Sequence, residues 1–111
     1  MEYLLLIYED EKRFSQGYAE AEMGEYMAFG KEFAHAIKGG HALQPTRTAA
    51  TVRVRNGKQS STDGPFAETK EHLGGYYLVE ARDRDEAVSM AAKIPGARFG
   101  SIEVRPIMKF S

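Results

Sequence analysis

Two short strands that are apolar on both sides, each leading into a helix, constrain this chain most. Successive residues of a strand point to opposite faces of a sheet. In Tyr3-Leu4-Leu5-Leu6-Ile7-Tyr8 one face would carry Leu4 and Leu6, and the other Tyr3, Leu5 and Ile7. Tyr76-Tyr77-Leu78-Val79 repeats the arrangement, with Tyr77 and Val79 opposite Tyr76 and Leu78. Helices can cover one face of such a sheet. The second face must then meet something else or stand open as a large apolar patch, which soluble chains rarely carry. The expectation is a homodimer through sheet faces, with helices on the outside.

Local signals supply the rest of the order. From Tyr18 to Lys38 apolar residues recur at helical spacing: Met23, Tyr26, Met27, Phe33, Ala34 and Ile37. That pattern predicts a helix over 18–38, ended by Gly39-Gly40, since glycine takes the left-handed cap conformation without a Cβ clash. Segment 9–17 reads as a polar turn. Ala49 to Arg55 alternates and is β-branched, which reads as a strand. Asn56-Gly57 is a two-residue hairpin signal because both positions of a type I′ turn need positive φ. Lys58 to Thr62 is the return strand. Gly75 to Ala81 is a further strand, and Asp83 with Glu86 forms a capping box. Ala87, Val88, Ala91 and Ile94 give the second helical face, Pro95-Gly96 stops it, and Ser101 to Ile107 closes the chain. The result is an α+β chain of the ferredoxin-like, split βαβ type, with an antiparallel sheet and an inserted β-hairpin. At 111 residues, 1–111 is expected to be a single domain.

Composition excludes several function classes. Fifteen basic and sixteen acidic residues, dispersed along the chain, leave a net charge of −1, which gives no electrostatic footprint for nucleic acid. The chain has no cysteine, so disulfides, thiolate metal sites and a cysteine nucleophile are absent. His35, His41 and His72 have no metal-ligand spacing, so no metal is expected. Without a Gly-x-Gly-x-x-Gly or a P-loop, no cofactor is expected either. The short apolar run near Met1 is flanked by acids and is too short for a signal peptide or a membrane span, which points to a cytoplasmic protein with no membrane partner.

Candidate site residues fall in two groups. If the apolar sides of 50–55 and 101–107 meet the helices, Arg53, Glu103 and Arg105 gather on the dimer-forming face; Tyr76 and Tyr77 are candidate cavity-lining aromatics. Arginine forks there suit a carboxylate or phosphate. The competing reading is that these charges pair at the sheet rim. The second group lies in Thr62-Asp63-Gly64-Pro65-Phe66-Ala67-Glu68-Thr69-Lys70-Glu71. An aspartate in a turn usually accepts the N–H two residues ahead. Here that residue is Pro65, which has none. Asp63 must therefore turn to Phe66 N–H, another loop or a ligand. Pro65 is expected to open a short helical turn with Phe66, Lys70 and Leu73 along one side, ended by Gly74-Gly75. Asp63, Glu68 and His41 are the candidate proton carriers, Glu68 through its like-charged neighbour Glu71. Arg53, Lys70, Tyr76, Glu103 and Arg105 are the candidate ligand contacts. The alternative for the loop is an ion-pair latch of Asp63, Lys70 and Arg53.

The same stretch, continued by Leu73-Gly74-Gly75-Tyr76-Tyr77, resembles the signature of the YCII-related (DGPF domain) family. So do the opening Tyr3 to Tyr8, Leu43-Gln44-Pro45, Thr51 to Val54, Ile94 to Ala97 and Gly100 to Pro106. The resemblance implies a ferredoxin-like α+β fold of the dimeric α+β barrel type, with sheets facing each other. It also implies kinship with small proteins that use a His–Asp acid–base pair, a dehydrochlorinase among them. The histidine of that pair belongs on the first helix, where this chain has Met27-Ala28-Phe29-Gly30; His35 stands one turn from the helix end. Two functions follow as expectations. One is binding of a small polar or anionic molecule at the dimer interface, with lyase or isomerase chemistry. The other, suggested by DGPF relatives encoded beside sigma factors, is a non-catalytic regulatory or interaction module.

Overall fold

The structure, a computed structural model, describes residues 1–14 and 17–110. Residues 15 and 16 of the expected polar turn lie outside the described residues. Strand β1 spans Glu2–Glu9, and helix α1 spans Glu20–Glu32. Then come β2 (Ile37–Ala42), β3 (Ala50–Arg55), β4 (Lys58–Asp63), β5 (His72–Glu80), helix α2 (Arg84–Ala92) and β6 (Ser101–Pro106). Four strands form one antiparallel sheet in the order β2-β5-β1-β6. This is the ferredoxin-like α+β plan.

Strict alternation in β1 decides which face is inside. Tyr3, Leu5, Ile7 and Glu9 are buried, while Leu4, Leu6 and Tyr8 are only half-buried. The buried phase packs with Val79, Phe29, Ala87, Met90, Ala91 and Ile94 into the core under the two helices. Helix α2 begins as its sequence predicts. Asp83 Oδ1 accepts the Glu86 N–H at 2.9 Å, and Glu86 Oε1 accepts the Arg82 N–H at 2.7 Å. That reciprocal cap satisfies donors a helix start leaves free.

Four sequence expectations need correction. First, α1 stops at Glu32, and the Phe33 N–H donates to Phe29 O at 3.0 Å. The remaining stretch becomes edge strand β2. Gly39-Gly40 do not end a helix; they lie within β2, where Gly40 lets the strand lie tight on β5. A Cβ on Gly40 would stand 2.6 Å from the Tyr76 carbonyl oxygen. Second, 50–55 is not a strand of the main sheet. With 58–63 it forms a separate two-stranded ribbon, turned by Asn56 (φ 53°) and Gly57 (φ 75°). The expected hairpin turn is present, but β2 takes the sheet position that β3 was expected to fill.

Third, the inward stripe of α1 is Glu22, Tyr26, Phe29 and Phe33. Met23 and Met27, expected to lead it, are 56% and 67% exposed. Phe29 anchors the helix because its ring sits 5.0 Å from those of Phe33 and Tyr77. Fourth, residues 64–71 are irregular bends without a helical turn, and Gly74-Gly75 lie inside β5. The chain turns instead at Gly64, whose φ of +100° favours glycine. Its N–H donates to Ala49 O at 2.7 Å, and its carbonyl accepts from Thr51 Oγ1 at 2.9 Å.

The β3–β4 ribbon is exposed on both faces, and Phe66 just beyond it is 80% exposed. The radius of gyration is accordingly 15.9 Å, against about 13 Å for a compact chain of this length. No helix of the described residues is long and apolar enough to cross a membrane.

Candidate functional site

A cleft opens where α1 stands off the sheet. Its roof carries Met23, Tyr26 and Met27, and its floor is nearly bare backbone at Gly40, Gly74 and Gly75. Its volume is about 410 Å³. Two of these glycines hold the floor tight: a Cβ on Gly75 would stand 3.0 Å from the His41 carbonyl oxygen, so β2 and β5 approach closely there. Tyr18 and Tyr77 complete an apolar, aromatic wall.

One charged group lies in this wall. Glu9, the last inward residue of β1, is 3% exposed. Its Oε2 accepts from Arg13 Nη2 at 3.3 Å. The same Nη2 donates to both carboxylate oxygens of Glu22, at 3.1 and 3.0 Å. Two carboxylates thus share one guanidinium, which also lies 3.9 Å over the Phe99 ring. Glu9 Oε1 is buried and has no hydrogen-bond partner among the described residues. Gly96 packs so close that a Cβ there would collide with Oε1 and stand 3.0 Å from the Tyr26 hydroxyl.

These surroundings set the electrostatics. Burial pushes the Glu9 carboxyl above its ordinary value; Arg13 pulls it back only in part, and Glu22 and Glu71 add to the rise. Burial likewise raises the Tyr26 hydroxyl well above the usual tyrosine range, reinforced by the charges of Glu9 and Glu22. Arg13 is held charged: burial disfavours its cation, but hydrogen bonds to Glu22 and Glu9 outweigh that. A carboxylate with a raised pKa, beside a cavity and with a free oxygen, is equipped to take up and release a proton.

Of the residues expected from sequence, His41 and Tyr76 contribute to the lining of this cleft, and the others fall elsewhere. His41, Tyr76, Glu103 and Arg105 do share one face, the sheet face away from the helices. His41 is opposite Tyr76, Tyr76 opposite Leu6, and Leu6 opposite Glu103, so they form a row across the sheet. The His41 and Tyr76 rings meet edge to face at 5.9 Å. Tyr8 donates to Glu103 Oε1 at 3.5 Å, and Arg105 Nε lies 3.6 Å from Glu103 Oε2. This last contact is the rim pair of the competing reading, worth about 0–1 kcal/mol when exposed. Arg53 does not join them, because it lies on the ribbon.

Asp63 ends β4, and Glu68 and Lys70 lie exposed in the bends that follow. Among the described residues Asp63, Lys70 and Arg53 make no ion pair with one another, so the expected latch is absent. The chain direction is fixed instead by Gly64 and its two backbone contacts to β3. The signal for Glu9 was present in the sequence. It continues the every-second-residue phase of Tyr3, Leu5 and Ile7, as Glu22 continues the phase of Tyr26, Phe29 and Phe33. An acid on an inward phase marks a buried charge, which needs a partner or a purpose.

Known proteins bear on the fold and the family. Over 97% of this chain and 94% of the other, the structure matches 5-chloro-2-hydroxyhydroquinone dehydrochlorinase from Burkholderia phenoliruptrix AC1100, solved in complex with 2,5-dihydroxybenzoquinone. The TM-score is 0.59 at 15% sequence identity. An uncharacterised protein of Rhizobium meliloti (strain 1021) is 40% identical over 114 residues, covering 96% of this chain and 92% of that protein. The family model of the YCII-related domain matches residues 1–111. With its ferredoxin-like sheet and this match along its whole length, the chain belongs to the YCII-related domain family.

Proposed function

We propose that the chain binds a small polar or anionic molecule in the cleft beneath α1, and that Glu9 exchanges a proton with it. The observation that carries this reading is the Glu9 carboxylate, buried at the cleft wall with Oε1 unpartnered among the described residues. Retaining such a group costs stability, so a purpose for it is expected. Proton transfer by a carboxylate is the elementary step of lyase and isomerase chemistry. The structural neighbour is a dehydrochlorinase that holds a small quinone, which is compatible with a compact, flat ligand here. The aromatic roof and bare glycine floor suit such a shape.

The other face of the sheet, with half-buried Leu4, Leu6, Tyr76 and Leu78, is assigned to a second copy of the chain. His41, Glu103 and Arg105 would then lie at that interface. The alternative reading, a regulatory interaction module, is favoured by one feature only. The ribbon and Phe66 offer a partner an exposed surface outside the main sheet.

Titration calorimetry with 2,5-dihydroxybenzoquinone tests the cleft. Native protein should bind it with proton uptake or release, visible as a dependence of the enthalpy on buffer. Glu9→Gln should abolish that dependence. Equal binding and equal proton exchange in the two proteins would remove Glu9 from the site.

A further inference from the structure

Glu9 has a second side. Beyond it lies another cavity, of about 490 Å³, whose wall includes Glu11, Lys12, Thr46, Arg47 and His72. The two cavities share Glu9, Tyr18 and Gly74, so they form one groove with Glu9 at the junction.

His72 reaches this junction because of a bulge. In the β1–β5 register Ile7 pairs with Gly75 but Tyr8 pairs with Leu73, which leaves Gly74 as the extra residue. Without it Glu9 would oppose Leu73, and His72 would point to the opposite face. With it, His72 stands directly across from Glu9. Bulges beside active sites commonly re-aim a side chain in this way. His72 Nδ1 lies 3.8 Å from Glu11 Oε1. Glu11 is itself fixed by the Thr46 N–H at 2.7 Å and by the Thr46 hydroxyl. The far nitrogen of the ring, Nε2, is buried without a partner among the described residues, as is Glu9 Oε1. Buried polar atoms are nearly always satisfied. Two unpartnered polar atoms on facing residues, at the meeting of two cavities, offer a ligand a carboxylate oxygen and a ring nitrogen to contact.

We propose that Glu9 and His72 are an acid–base couple that interconverts the keto and enol forms of a small anionic carbonyl compound lying along the groove. This rests on the reading of Glu9 given above. Lys12 and Arg47, exposed at the rim of the second cavity, hold the anionic group. The aromatic cleft under α1 takes the flat remainder. Glu9 removes a proton from the carbon next to the carbonyl. The C–H electron pair becomes the C=C bond, and the carbonyl π pair moves onto oxygen, which takes a proton from His72 Nε2. A proton passed from Glu9 to His72 through solvent restores the couple, and no oxidant or reductant is consumed. Glu11 is a positioning residue that orients the imidazole.

Phenylpyruvate is a suitable probe, since it joins a carboxylate, an enolisable ketone and a ring, and its enol absorbs in the ultraviolet. Native protein should accelerate its keto–enol interconversion. His72→Gln and His72→Asn should each lower kcat about 10²-fold, the scale of a lost general acid, and remove one limb of the pH–rate profile. Circular dichroism and cooperative melting verify that each variant is folded. Arg47→Ala should raise KM about fivefold, as for an exposed ion pair. Phenylpyruvate that binds in a Glu9-dependent manner without faster interconversion would overturn the couple while leaving the Glu9 site intact. So would His72 variants as fast as native protein. Binding and rate both indifferent to Glu9→Gln would overturn the couple together with the Glu9 reading.

Discussion

Glu9→Gln should make the protein more stable at pH 8 while abolishing proton exchange with a ligand. The native arrangement places two carboxylates on one guanidinium, with Glu9 Oε1 buried and unpartnered among the described residues. Leaving a buried polar oxygen unsatisfied costs about 1–3 kcal/mol, and more when it is charged. The substitution removes the charge, and with it the excess of that cost over a neutral group's, and leaves Glu22 as the anion facing Arg13. In return it weakens one contact of 3.3 Å to an arginine whose side chain is 31% exposed, a loss of about 0.5–1 kcal/mol after solvent screening. The net gain is about 1 kcal/mol, or about 4 °C in Tm for a chain of this size.

The sign with pH follows from the direction of the shift. Because the folded pKa of Glu9 is raised, chiefly by burial, the folded state holds the proton more tightly than the unfolded state. Its contribution is fully present below the unfolded carboxylate pKa and is lost as pH rises through the folded one. Native protein should therefore lose stability across that window, and Glu9→Gln should lack this loss. Urea unfolding at pH 4.5 and pH 8 measures both. A variant less stable than native at pH 8, or a difference that does not grow with pH, would refute the buried-charge argument.

Other perturbations test the frame around the site. Gly100→Ala should cost about 2–3 kcal/mol in urea unfolding, because its Cβ would collide with the Tyr8 carbonyl oxygen, a backbone atom that cannot step aside. Phe29→Ala should cost about 3–5 kcal/mol and lower Tm in a calorimetric scan, since its ring joins Phe33 and Tyr77 in the core. Asp83→Ala should cost about 1 kcal/mol through the lost cap of α2, read by thermal melting. Sedimentation tests the uncovered sheet face: native protein should run as a dimer and Leu6→Asp as a monomer. A native monomer would end the sheet-to-sheet proposal.

Those features were legible in unequal measure from the residues. The ferredoxin-like plan was readable because its signals are local: alternation in β1, Asn56-Gly57 at the ribbon tip, Asp83 and Glu86 at α2. Strand β2 was not. Ile37-Lys38-Gly39-Gly40-His41-Ala42 has low intrinsic strand preference and continues the helical phase of α1. It becomes a strand because β5 has an edge to fill and because glycine permits the close approach. The same shortfall hid the site. The Asp63-to-Glu71 signature drew attention to a loop that lies at the surface. The acids at 9 and 11 looked like solvated turn charges until the sheet register and the Gly74 bulge brought them beside His72, which lies 63 residues beyond Glu9 in the chain.

The sheet order also has a consequence during synthesis. Strand β1 lies between β5 and β6, so both of its neighbours come from the second half of the chain. From Glu9 to His72 the ribosome must add 63 residues before the first neighbour emerges, roughly 3 to 13 s at cellular translation rates. Throughout that interval Leu4-Leu5-Leu6-Ile7 is an unpaired apolar strand, while the β3–β4 ribbon can already close on its own turn. The nascent chain thus carries an unpaired apolar strand through most of its synthesis. A chaperone that recognises short apolar strands would have its binding site here, vacated only when β5 arrives.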